Sequence, residues 1–121
     1  MSPIQTGIDL IEVARLQQAI DRHGERFLKR VFTEAELAQV GDDVASLAGR
    51  WAAKEAVSKA LCTGIGKVSW QEIEVLRGDS QEPVLNLYGE AARLAHERGL
   101  ESWSVSLSHT VDHAVAMVVA I

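Results

Sequence analysis

Cysteine is nearly missing from this 121-residue sequence, with Cys62 the only one. A single thiol closes no internal disulfide, and no Cys/His spacing around it resembles a zinc site. Cys62 is expected to be a small buried hydrophobe, and the chain to work in a reducing cytoplasm. Long apolar runs are missing as well. None approaches the roughly 18 residues of a membrane span, and the apolar stretch from Ala114 to Ile121 is only strand length. Met1 to Gly7 has no basic region followed by an apolar stretch, so no signal peptide is expected. Basic charge is in the minority, 12 Lys and Arg against 17 Asp and Glu, for a net charge of −5. That balance argues against a general nucleic-acid binder. There is no internal repeat, low-complexity tract or linker.

What remains is the composition of an ordinary globular domain, 47% hydrophobic and 24% charged. A chain of this length buries roughly two-thirds of its unfolded surface, so one domain over residues 1–121 is expected. The pattern of residues predicts a strand from Ile4 to Val13. A helix follows on Val13, Leu16, Gln17 and Ile20, ending at Gly24, and Glu25 to Arg30 forms a short second helix. Thr33-Glu34-Ala35-Glu36 has the form of a capping box and starts a helix that stops at Gly41. The longest helical pattern runs from Asp43 to Leu61, rich in Ala and free of Pro. In the second half, Val68 to Leu76 and Val84 to Leu87 read as strands, and Gly89 to Arg98 as a helix closed by Gly99. Trp103 to Ser108 and Ala114 to Ile121 read as two strands paired through a turn at Thr110 to Asp112. The fold class is α+β, an antiparallel sheet packed against helices that concentrate in the first half.

Three stretches carry residues suited to chemistry. In Gly7-Ile8-Asp9, alternation sets Asp9 on the face opposite Ile8 and Leu10. Taken alone, that stretch predicts a solvent-facing aspartate. In Arg50-Trp51-Ala52-Ala53-Lys54-Glu55-Ala56-Val57-Ser58-Lys59, the side chains of Trp51, Glu55 and Lys59 recur every four residues and share a helix face. Taken alone, Glu55 and Lys59 read as a solvated ion pair worth about 0.3–0.5 kcal/mol. A carboxylate and an amine one turn apart also suit a metal and a phosphate held side by side. Mg²⁺ takes one or two carboxylates and fills its other positions with water and phosphate oxygens. Gly64-Ile65-Gly66 reads as a helix cap and turn, or as backbone able to approach a phosphate. In Ser106-Leu107-Ser108-His109-Thr110, His109 sits at a strand end without the partners of a nucleophilic triad.

Together, in this order and spacing, these stretches resemble the signature of the phosphopantetheinyl transferases. Gly7-Ile8-Asp9 is similar to the family's first motif and Trp51 to Lys59 to its second. Arg26 to Thr33, Lys59 to Gly66 and Ser106 to His109 resemble the short holo-acyl-carrier-protein synthase branch. The resemblance covers nearly the whole chain. It implies transfer of 4′-phosphopantetheine from coenzyme A to a serine of an apo-acyl carrier protein, for fatty acid biosynthesis. It implies Asp9 and Glu55 as Mg²⁺ ligands, Lys59 beside the reacting phosphate, and His109 at the coenzyme A site. Arg50 and the Gly64–Gly66 turn match positions that hold its phosphates. The family base for the serine stays open between Glu55 and a metal-bound water. The short branch is a homotrimer with active sites between subunits.

Arg15, Arg22 and Arg26 lie in a stretch that is net positive within an acidic chain. Arg15 and Arg22, two helical turns apart, share a face. Acyl carrier proteins are acidic, so these three are expected to dock one by steering association. Two departures from the family stand out. Cys62 occupies a position where relatives often carry Gly, and Gln81-Glu82-Pro83 resembles the family's Gly-x-Pro turn without its Gly. The competing readings are a non-catalytic nucleotide or coenzyme A module, an oligomerisation domain, and a relative specialised for polyketide or peptide carriers. No membrane or nucleic-acid partner is expected.

Overall fold

The structure is a computed structural model, and it describes residues 3–121. Strand β1 (Gln5–Glu12) leads into helices α1 (Val13–His23), α2 (Glu25–Val31), α3 (Glu34–Val40) and α4 (Val44–Ala60). Strands β2 (Ile73–Arg77) and β3 (Pro83–Leu87), helix α5 (Gly89–Glu97), and strands β4 (Trp103–His109) and β5 (His113–Ala120) follow. The α+β class and nearly every expected element are present. Gly24 and Gly41 end their helices at positive φ. The capping box at Thr33 is complete, with Glu36 reaching back to the Thr33 N–H.

Two expectations are corrected. The antiparallel strands form two sheets rather than one: β1-β5-β4, with β5 central, and the pair β2-β3. The stretch from Val68 is not strand until Ile73. Trp70–Glu72 is a 3₁₀ turn, because Glu72 folds back to accept from the Ser69 N–H. That side-chain cap competes with extended backbone.

Helix α4 is the centre of the molecule, with eleven of its 17 residues buried. Ala52, Ala53, Ala56 and Ala60 are almost wholly excluded from solvent. Their small side chains let one helix pack against the larger sheet, the β2 strand and α1 together. The buried Lys54 Nζ pairs with Glu36 of α3 at 2.8 Å and donates to the carbonyls of Trp70 and Ile73. Glu36 also accepts from the backbone N–H groups of Thr33 and Val75. A buried ion pair contributes specificity only when its remaining hydrogen-bonding sites are filled. Here they are, and the network locks α3, α4 and β2 in one arrangement.

The outer face of the larger sheet is uncovered. Ile8 is 60% exposed, Leu10 64% and Met117 47%. Ile8 pairs with Met117, and Leu10 with the half-buried Val115. Contiguous exposed apolar surface of this kind marks an interaction site.

Candidate active site on two flanks of one helix

Gly7 explains how the first motif works. A Cβ built on Gly7 would lie 1.8 Å from the carbonyl oxygen of Ala56, so only a glycine lets β1 run this close to α4. Alternation then turns Gly7, Asp9 and Ile11 toward the helix and Ile8 and Leu10 away. The expected solvent-facing aspartate is therefore corrected. The Asp9 side chain is only 18% exposed and lies on the helix side, while its apolar neighbours face out.

Asp9 shares a hollow of about 180 Å³ with Glu55, Trp51 and Arg15. Lys59 Nζ donates to Asp9 Oδ1 at 3.0 Å and to the Ile8 carbonyl at 2.9 Å. The helical ion pair expected between Glu55 and Lys59 is not made, because Asp9 lies nearer to the ammonium. Burial pushes the Glu55 carboxyl above its ordinary value, and the charge of Asp9 adds to the rise. Lys59 and Arg15 oppose it by less. Two carboxylates held this way repel each other and gain from a cation between them. Their donor set is hard oxygen without Cys or His, which suits magnesium rather than zinc. No third metal-ligating side chain joins them among the described residues. An ion here would complete its shell with water and phosphate oxygens.

Arg50 and His109 lie elsewhere. They line a cavity of about 290 Å³ with Ser46, Arg77, Gln81 and Pro83. Arg50 and Glu55 are five residues apart, about 140° around the α4 axis, and so occupy opposite flanks of the helix. The strands repeat the division. Asp9 is on β1 and His109 on β4, the two outer strands with β5 between them. Within one chain the acidic hollow and the Arg50–His109 cavity are separate.

The family model for the 4′-phosphopantetheinyl transferase superfamily matches residues 5–118. The chain belongs to that superfamily. A holo-[acyl-carrier-protein] synthase from Herpetosiphon aurantiacus is 51% identical over 121 aligned residues, covering 94% of this chain and 95% of the relative. The Helicobacter pylori holo-[acyl-carrier-protein] synthase in complex with coenzyme A superposes with a TM-score of 0.88 at 32% identity. That match covers 96% of this chain and 99% of the other. The Bacillus anthracis holo-(acyl-carrier-protein) synthase in complex with CoA (3′,5′-ADP) gives 0.78 at 38% identity, covering 96% and 94%.

The remaining residues singled out from the transferase signature fall in several places. Gly64 and Gly66 take positive φ in the turn past the end of α4. Gly66 opens on a third hollow with Arg30 and Trp70, away from the Arg50 cavity. Arg15 and Arg22 are exposed on α1, and Arg15 reaches the acidic hollow itself. Arg26 is exposed on α2, beyond the break at Gly24. Cys62 is corrected from buried to exposed. It sits at φ 61°, where a glycine is free and a side chain is strained. Gln81 is likewise at φ 65°. Both departures from the family pattern thus fall on left-handed backbone. Sequence reading passed over Arg77 and Ser46. The signal for Arg77 was a lone cation closing an otherwise apolar strand end before Gly78.

Proposed function

We propose that this chain transfers 4′-phosphopantetheine from coenzyme A to a serine of an apo-acyl carrier protein, releasing 3′,5′-ADP. The observation that carries this reading is the meeting of Asp9 and Glu55, from a strand and a helix, at one hollow, with Lys59 paired to Asp9. In the reaction a serine oxygen bonds to the β-phosphorus of coenzyme A, and the bond from that phosphorus to the oxygen bridging the two phosphates breaks. Asp9 and Glu55 would hold Mg²⁺, which when bound would supply positive charge against the negative charge developing on the transferred and leaving groups. Glu55, at the hollow beside Asp9, is the side chain placed to take the serine proton. Lys59, within reach of Asp9, turns its ammonium to the leaving phosphate. Incubating apo-acyl carrier protein with coenzyme A and Mg²⁺, then weighing it intact, tests the assignment. The mass of the prosthetic arm is expected with the parent and absent with Asp9→Ala or Glu55→Ala. An unmodified carrier after incubation with the parent would overturn it.

The working unit we propose is a homotrimer with each active site shared by two subunits. Two features support it. The acidic hollow and the Arg50–His109 cavity lie on opposite flanks of α4, so one ligand reaches both kinds of group most readily across a boundary between copies. The apolar outer face of β1 and β5 gives such copies a surface to share. His109 and Arg50 from one copy then hold the nucleotide portion of coenzyme A, and the Gly64–Gly66 turn, which lies away from that cavity within one chain, approaches the phosphates from the adjoining copy. Arg15, Arg22 and Arg26 dock the acidic carrier, with Arg15 next to the reacting groups. Charge reversal at Arg22 should raise the carrier KM and leave coenzyme A binding intact. The lone thiol fits a cytoplasmic setting, and among the described residues no helix is long and apolar enough to cross a membrane.

A further inference from the structure

In the ligand-free chain the acidic hollow already has cations of its own. Lys59 reaches from α4 to β1, where its Nζ donates to Asp9 Oδ1 at 3.0 Å and to the Ile8 carbonyl at 2.9 Å. The Lys59 side chain is half exposed, so it can leave this contact without opening the core. Glu55, one turn earlier on α4, is its expected helical partner and is passed over in favour of Asp9. Among the described residues Glu55 makes no ion pair, and neither does Arg15 on the same lining. Two carboxylates are thus offset by two cations, one paired to Asp9 and one loose. A divalent ion entering alone would meet little uncompensated negative charge. It would also have to compete for Asp9 with an ammonium already hydrogen-bonded to it.

We propose that Lys59 is a displaceable internal counter-ion, which occupies Asp9 until the diphosphate of coenzyme A draws its ammonium away, so that the divalent ion and coenzyme A bind cooperatively through this one side chain. The inference rests on the transfer reading above, which puts the ion at Asp9 and Glu55 and Lys59 at the leaving phosphate. A compact ammonium on a flexible four-carbon stem exchanges partners readily, as a forked guanidinium does not. A diphosphate offers it several anionic oxygens against the single Asp9 oxygen it holds now. With the ammonium gone, Asp9 and Glu55 face each other across the hollow, and their repulsion favours a cation between them. The coupling is reciprocal: the factor by which coenzyme A tightens the ion is the factor by which the ion tightens coenzyme A. Direct contact between ion and diphosphate also couples them, so the share that belongs to Lys59 is read from variants.

The test titrates Mn²⁺ into the parent, Lys59→Gln, Lys59→Arg and Arg15→Gln, with free ion read by electron paramagnetic resonance. Each is measured with and without saturating coenzyme A, against a blank of coenzyme A alone. Carrier is left out, so nothing turns over. In the parent, coenzyme A should tighten the ion about tenfold or more. In Lys59→Gln the ligand-free protein should bind the ion about tenfold more tightly than the parent does, and the gain from coenzyme A should shrink by a similar factor. Lys59→Arg keeps the charge and should stay nearer the parent. Arg15→Gln removes a charge from the hollow without touching the Asp9 pair, and should tighten ligand-free binding by much less. Ligand-free affinity in Lys59→Gln equal to the parent's overturns the proposal. So does an equal gain in Arg15→Gln, which would assign the effect to total charge rather than to the pair. A parent that binds no ion with or without coenzyme A overturns it together with the roles of Asp9 and Glu55. Whether the chain transfers the arm at all is read separately, from the mass of a carrier incubated with the parent.

Discussion

Replacing Gly7 with alanine should uncouple the acidic hollow. The φ of Gly7 is one that any residue adopts, so the cost comes from space alone. The new methyl would stand 1.8 Å from the Ala56 carbonyl oxygen, 2.7 Å from its carbon and 3.2 Å from the Ala60 nitrogen. Ordinary contact needs roughly 3.5 Å, so strand and helix must separate by about 1.5 Å. The obstacle is helix backbone, which cannot turn aside as a side chain does. The penalty therefore falls at the upper end of overpacking, about 3 kcal/mol. For a chain of this size that lowers Tm by roughly 10–15 °C. The separation also moves Asp9, two residues along the same face, away from Glu55. Transfer activity measured well below the new Tm should fall by far more than the small unfolded fraction explains. Thermal melts by circular dichroism and a carrier-modification assay on the same preparation check both halves. A variant melting within about 2 °C of the parent, with undiminished Mg²⁺-dependent turnover, would refute the role given to this contact.

Three other outcomes follow from the same geometry. Lys54→Met leaves the buried Glu36 carboxylate without its cation and should cost about 3–5 kcal/mol in denaturant unfolding, while the double variant with Glu36→Gln recovers much of the loss. Glu74 is buried, which alone would raise its carboxyl, but donors from Thr33, Asn86 and Tyr88 hold it below the usual 4.5. Its stabilisation is present above that value and lost as pH falls through the lower folded one, so Glu74→Gln should be less stable than the parent at neutral pH and converge with it in acid melts. Lys59→Gln frees Asp9 from its internal cation and should tighten Mg²⁺ binding to the ligand-free protein by calorimetry while depressing turnover; weaker binding would count against the competition.

Most of the fold was legible because its signals are local. The Thr33 capping box, the glycines at 24 and 41 and the alanine-rich stretch of α4 each specify an element through their own backbone chemistry. The division into two sheets was not legible, since β3 lies beside β4 without ladder bonds and no local pattern reports that gap. The false strand start at Val68 has a local cause, the Ser69–Glu72 cap, which alternation masks. At the site, the residues that resemble family motifs were legible as a set, but their facing was not. Asp9 looked solvated because apolar neighbours usually point inward, and here the apolar pair serves an uncovered sheet face. The close approach of Gly7 to Ala56, 49 positions away in the chain, is a tertiary fact, and so is the meeting of Ser46 with Arg77. Cys62 was misplaced because its residue type argues for burial, whereas its left-handed turn holds it at the surface.

The central claim is that Asp9 and Glu55 share one divalent ion that the transfer requires. Titrating Mn²⁺ as a magnetic stand-in for Mg²⁺, with bound and free ion distinguished by electron paramagnetic resonance, addresses it directly when turnover is measured on the same samples. The account predicts one tight ion per chain in the parent, and loss of both that ion and carrier modification in Asp9→Asn and in Glu55→Gln. Either variant retaining the ion and full turnover would contradict it.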